Sequence, residues 1–415
     1  MKDNHRLKMS NKKTWIKSRH FRAYRFFNRV LSSPLTKDYN AEVDKFDDIN
    51  NRSFLILYNH QTPADQFLLA KAFPNIVYFV ATEDIFSLGW KSRAMEYLIN
   101  PIPIKKNGND LKAVKICMKV AKEGGSIALA PEGNRTYSGT TEYIKPSVVK
   151  LIRALKLPVA FFVFEGGYNK QPRWSNDVNE GDMKVKLRKI VEFNEYKLLS
   201  DDELYNLVKE NLYQDDRLLD NAKAKSVEYL ERVIYVCPDC GFSSFESNGF
   251  SFRCKKCGLE TNYTPDHSFD TNSFANHSFK NVKEWFDYQN NYINNLSMED
   301  FEFAEDIDTK FIYSDEVSIY KVELYKNKKL LSNEGKIAIN SSHIYLKING
   351  DITKYLIPEI ENLAICGKNK LEIFVDKNNV FQIVGNERFN GVKYMNIFYR
   401  INHLLKGEEN EFLGL

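Results

Sequence analysis

A chain of 415 residues exceeds what one hydrophobic core usually serves, so two or three domains are expected. Hydrophobic residues make up 43% and charged residues 27%, which excludes a disordered chain, and a net charge of +4 is too small to imply nucleic acid as a partner. No run approaches the roughly 18 apolar residues that span a bilayer, and the N-terminus lacks the apolar core of a secretory signal. A reducing, cytoplasmic setting is therefore expected, with any membrane contact peripheral and on the cytoplasmic face.

The first thirty residues carry ten Lys or Arg and one acid. Over 12–31, Ile16, Tyr24, Phe27, Val30 and Leu31 recur at near-helical spacing beside Trp15 and Phe26, and cations fill much of the rest. This basic amphipathic helix suits an anionic lipid surface, or equally a surface helix packed on the main domain. From residue 54 the pattern alternates. Short apolar runs at 54–58, 76–80, 126–130 and 158–164 read as buried strands. Helices are expected at 64–72, 109–122 and 146–156, a more polar strand at 183–193, and a last helix opening at Asp201. Strands alternating with helices predict an α/β domain with a mostly parallel sheet.

Composition shifts near residue 233. Two C-x-x-C pairs follow, then a polar stretch over 261–281 that reads as part of a linker. Short strands are expected at 317–325, 335–340, 343–348, 352–357, 361–366, 370–375 and 379–384, closed by a helix at 390–405.

The first strand runs straight into Asn59-His60-Gln61-Thr62-Pro63-Ala64-Asp65. A histidine at a strand end lies where open α/β sheets place their sites. The turn between could bring Asp65 to one imidazole nitrogen and leave the other facing substrate. An acid so placed fixes the tautomer of a general base. A lone histidine near an acid is more often structural, so its company matters. Pro131-Glu132-Gly133-Asn134-Arg135 follows another strand, offering a glycine for close backbone approach and a planar guanidinium for phosphate. Lys105 and Lys106 follow the extended segment 101–104, and Leu157-Pro158-Val159 enters the next strand.

These four ordered blocks resemble the glycerolipid and lysophospholipid acyltransferases over roughly 40–215. The resemblance implies His60 as general base, oriented by Asp65. It implies that Lys106, with Lys105, and Arg135 hold the acceptor's phosphate, and that Glu132 and Gly133 shape the acceptor site. The implied reaction moves a fatty acyl group from acyl-coenzyme A or acyl carrier protein to a lysophospholipid, giving phosphatidic acid from 1-acyl-glycerol 3-phosphate. Glycerol 3-phosphate or another lysolipid stays open as acceptor, as does an inactive membrane adaptor. Two departures bear on the acceptor: lysine stands where the second block usually has arginine, and Asn134 where the third usually has threonine.

Cys237, Cys240, Cys254 and Cys257, each pair followed by glycine, suit a structural zinc with four thiolates and no open position. Phe242, Phe245, Phe250 and Phe252 are expected in the core of this module, and Cys117 and Cys366 in packing. The C-terminal strands and helix resemble a pleckstrin-homology or GRAM-like domain. The expected organisation is a membrane-contacting helix over 1–35, the acyltransferase domain over 36–232, a zinc ribbon over 233–262, a linker over 263–315 and the β-rich domain over 316–415.

Overall fold

The computed structural model describes residues 14–46, 52–104, 111–273, 277–302, 313–323, 326–376, 379–409 and 412–414. Lys105 and Lys106, and the start of the basic N-terminal segment, lie outside the described residues.

Seven strands form the first sheet: β1 (Ala41–Val43), β2 (Leu55–Tyr58), β3 (Val77–Thr82), β4 (Ile102–Ile104), β5 (Ser126–Leu129), β6 (Val159–Glu165) and β7 (Met183–Val191). Their spatial order is β1-β7-β6-β2-β5-β3-β4. The block from β6 to β4 is parallel, and β7 joins it antiparallel along β6. The parallel block is apolar without alternation because helices cover both faces. Leu55, Leu57, Ile127 and Phe161 face one cluster, which Val120, Val148, Ile152 and Val208 from three helices complete. Ile56, Tyr58, Phe162 and Phe164 face the other, closed by Leu68 and Leu69 of the helix Asp65–Ala72.

The basic helix runs Ser18–Phe27, then a π-helical stretch Asn28–Ser32 and a further turn Ser33–Asp38. It packs through Ala23 and Tyr24, whose hydroxyl donates to Ala70 O at 2.9 Å, while Phe26 and Val30 are exposed. The helix Trp90–Leu98 and the short strand β1 were not expected from the sequence, being too polar or too short to show a period.

The C-terminal half is built on a seven-stranded antiparallel sheet that begins at Tyr313, a few residues before the expected 316. In it the first strand, Tyr313–Val322, pairs with both the second, Lys329–Ile339, and the last, Asn379–Val384. The helix Gly391–Lys406 closes it. The stretch read as a linker holds the helix Val282–Asn294, whose Val282, Trp285, Phe286, Gln289 and Ile293 are buried. Apart from Gln289 its polar residues are only partly buried or exposed, so composition concealed it. Trp285 meets Phe245 and Phe252 of the cysteine module edge-on at 5.6 and 5.4 Å, stacks on Phe279, and donates Nε1–H to Val236 O at 2.8 Å. Those phenylalanines are core, as expected. One continuous apolar cluster joins Tyr137 and Trp174 to the cysteine module, this helix and the C-terminal sheet.

Trp285→Ala should cost about 3–5 kcal/mol, because it removes a large, fully buried side chain that several rings pack against. Urea unfolding followed by circular dichroism checks this, and a loss under 1 kcal/mol (on the order of a surface change) would contradict it.

Candidate active site

β2 lies between β5 and β6, and its C-terminal end delivers His60. Asn59 fixes that end: its Nδ2 donates to Phe164 O at 3.0 Å and its Oδ1 accepts from Phe164 N at 2.7 Å. The chain then turns through Gln61-Thr62-Pro63 into the helix that begins at Asp65. Asp65 is fully buried and met entirely by donors. Its carboxylate accepts from His60 Nδ1 at 2.7 Å, Gln61 N at 2.7 Å, Thr62 N at 3.0 Å and Thr62 Oγ1 at 2.6 Å. Each donor lies within five residues, so the turn closes on its own acid.

With Nδ1–H committed to Asp65, the lone pair lies on His60 Nε2, which makes no hydrogen bond among the described residues. Burial lowers the His60 pKa; Asp65 opposes this, while Arg135 and Arg173 add to it. The imidazole is therefore neutral at neutral pH and able to accept a proton.

Glu132 follows β5 and is buried. Its Oε1 accepts from His60 N at 2.8 Å and its Oε2 from Glu142 N at 2.7 Å. Burial raises its pKa well above the ordinary carboxylate range, against those two amides. Both oxygens are taken by backbone, so Glu132 braces the histidine turn against the loop at 142. Gly133 adopts φ +71 and is exposed beside His60, in the left-handed region that a side chain would strain. Thr136 N donates to His60 O at 3.0 Å, which ties the two turns together. Arg135 is partly buried, with its Nη1 closed off from solvent. Desolvation, with Arg173 beside it, brings its pKa down to about 10.

His60 and Gly133 line a cavity of about 1100 Å³. Tyr58, Phe79, Met95, Ile104, Val114 and Leu151 are among its apolar walls. Leu31 and Leu111 line it and are also exposed, and Trp90 and Tyr97 are exposed nearby in sequence on the helix after β3. Arg19 stacks 3.9 Å above the Tyr97 ring and donates to Tyr97 O, holding the basic helix against that one. No helix among the described residues is long and apolar enough to cross a membrane.

Three further residues, Gln61, Asp216 and Arg173, shape the site and were not singled out from sequence. Gln61 Oε1 accepts from Gly167 N at 2.8 Å. Buried Asp216 accepts from Gly166 N and Tyr168 N, both at 2.9 Å, and burial raises its pKa to about 6. Arg173 donates to Arg135 O, and Asn134 is buried beside it. No local period marks any of them, because each partner lies tens of residues away.

The four cysteines at 237, 240, 254 and 257 gather with all sulfurs within 4.8 Å of one another. Cys237 and Cys257, and Cys240 and Cys254, are each 3.6 Å apart. Tetrahedral zinc with bonds of about 2.3 Å sets its sulfurs roughly 3.8 Å apart, so the cluster fits such an ion and could hold a metal. Gly241 and Gly258 take positive φ values of +72 and +82 just after each pair, which is the turn expected there.

Glu132→Gln places an amide donor against a backbone donor at the centre of this brace. It should cost about 1–3 kcal/mol in urea unfolding, and unchanged stability would contradict the bracing role.

No curated protein matches the chain. Among solved structures it is similar to the 1-acyl-sn-glycerophosphate (LPA) acyltransferase PlsC from Thermotoga maritima, at 21% identity over 45% of this chain and 75% of that one, with a TM-score of 0.38. A superposition that loose leaves the site to be read from this chain's own residues. Residues 40–164 match the family model described as Acyltransferase, and that segment contains His60, Asp65, Glu132, Gly133 and Arg135.

Proposed function

We propose that this protein is an O-acyltransferase that moves a fatty acyl group from acyl-coenzyme A or acyl carrier protein to the free hydroxyl of a lysophospholipid. The acceptor is 1-acyl-glycerol 3-phosphate and the product phosphatidic acid. The observation that carries this reading is a histidine whose Nδ1 is held by a buried carboxylate at 2.7 Å and which lines a large, mainly apolar cavity. The match of residues 40–164 supports the reaction class.

In this reading His60 Nε2 takes the proton of the acceptor hydroxyl as its oxygen attacks the thioester carbonyl. The new C–O ester bond forms, the C–S bond breaks, and the proton passes from His60 to the departing sulfur. Asp65 keeps the proton on Nδ1 and stabilises the transient imidazolium. The apolar cavity takes the acyl chain. Arg135, with Lys106 and Lys105, receives the acceptor's phosphate, while Glu132 and Gly133 shape the wall beside it.

The basic helix, with Phe26 and Val30 exposed among its arginines, suits an anionic membrane surface on the cytoplasmic side. The four cysteines bind zinc in a structural role, since four protein ligands leave no open position. The pleckstrin-homology-like reading of the C-terminal sheet rests on its meander and closing helix.

His60→Ala should abolish transfer from radiolabelled acyl-coenzyme A to lysophosphatidic acid while the unfolding midpoint stays near that of the parent. Retained transfer would remove the general-base role. For the parent, kcat/KM should rise with pH through an apparent pKa below 6.5 and then level, since the depressed histidine must be neutral to act. A rise centred above 7 would contradict it. Metal analysis should find about one zinc per chain, with stability lost on chelation, and a metal-free protein of unchanged stability would remove the zinc assignment.

A further inference from the structure

Two arginines come together at the Pro131–Arg135 turn, Arg173 reaching the backbone of Arg135. Arg173 lies on the segment after the short helix Gly167–Lys170 and is only 4% exposed. Its Nη1 donates to Arg135 O at 2.9 Å and to Asn134 Oδ1 at 3.4 Å, and its guanidinium stands 4.1 Å above the Tyr137 ring. Arg173 Nε and Arg135 Nη1 are both buried and make no hydrogen bond. Neither arginine forms an ion pair among the described residues. The acid whose field reaches Arg135 is Asp65, and its carboxylate is already filled by His60, Gln61 and Thr62.

Two cations that each disfavour the other's charge, with buried donors left over, are unfavourable by themselves. An anion that accepts from both reverses that balance. A planar fork suits phosphate oxygens better than an ammonium does, so a second guanidinium makes up for lysine in the second block.

The segment carrying Arg173 is gripped from the other half of the chain. Lys368, on the turn between the strands Asn362–Ile365 and Lys370–Asp376, donates Nζ–H to Ser175 O at 2.5 Å and to Asn176 Oδ1 at 3.0 Å. Arg232 donates Nη1–H to Trp174 O at 2.7 Å and to the same Asn176 oxygen at 3.0 Å. Burial, then the charges of Arg232 and Arg135, lower Lys368 to about 8, so its cation adds to the same positive region.

We propose that Arg173 and Arg135 form a two-guanidinium site for a phosphate monoester, held in place from the C-terminal half by Lys368 and Arg232. Assigning that phosphate to the acceptor's headgroup rests on the acyltransferase reading; the anion site itself does not.

Arg173→Met and Arg135→Met are prepared in the full-length protein. Binding of sn-glycerol 3-phosphate, with glycerol as control, is measured by calorimetry. Transfer is measured to 1-acyl-glycerol 3-phosphate and to uncharged 1-acyl-glycerol. The parent binds glycerol 3-phosphate and not glycerol, and each variant weakens that binding about tenfold or more. The ratio of kcat/KM for the phosphorylated acceptor over the uncharged one falls by a similar factor. The acid limb of the Arg173→Met pH profile moves up, because a cation that depresses His60 is gone. Lys368→Met, a change in a positioning residue, raises KM for the phosphorylated acceptor and leaves KM for acyl-coenzyme A unchanged.

If Arg173→Met does not fold, Arg173→Lys is read instead. It keeps the charge, loses the fork, and lowers the same ratio by less, whereas an unchanged ratio overturns the proposal. Equal loss with both acceptors overturns it, as does a raised KM for acyl-coenzyme A alone, which would give the site to the donor's phosphates. Binding that follows the variants in a parent without transferase activity upholds the anion site and removes the acyltransferase reading.

Discussion

A carboxylate with no solvent contact has to be satisfied by protein, and Asp65 is satisfied by the six-residue turn that contains it. His60, Gln61 and Thr62 all aim donors inward at it. The turn's shape, the tautomer of His60 and the start of the helix Asp65–Ala72 are thus one arrangement. Asn59 anchors it to β6, Glu132 to the loop at 142, and Thr136 to the turn after β5. The neighbouring parts of the parallel sheet hold those anchors at fixed spacing.

The first sheet was legible in the sequence because its strands are continuous apolar runs. Leu55–Tyr58, Val77–Thr82, Ser126–Leu129 and Val159–Glu165 each lie within two residues of the expected positions. The pairing of His60 with Asp65 was legible because all its determinants fall within seven residues. Gln61 to Gly167 and Arg173 to Arg135 were not, since each spans many residues of chain and neither end carries a local pattern. Glu132 shows a different limit. Its type and place were evident, but a substrate contact and a backbone brace call for the same residue, and only the two amides distinguish them.

Polarity misled in the stretch before the C-terminal sheet. Asn, Ser and Asp surround the helix Val282–Asn294, yet Trp285, Phe286 and Ile293 on one side are enough to bury it. The cysteine module is too small to hold a core alone. It borrows one from this helix and the C-terminal strands, with Phe245 and Phe252 stacked 4.9 Å apart beneath Trp285. The four cysteines and these rings lie on the same few turns, so the module is not a separable appendage.

The shared core also sets an order in time. The dyad and the cavity are assembled from residues before about 165, whereas the segment that carries Arg173 is held by Arg232 and Lys368. Phe412 lies against Tyr143 at 4.7 Å, beside the loop that Glu132 braces. A chain emerging from the ribosome therefore completes the residues that line the cavity well before Arg232 and Lys368, which hold the segment carrying Arg173, have been made.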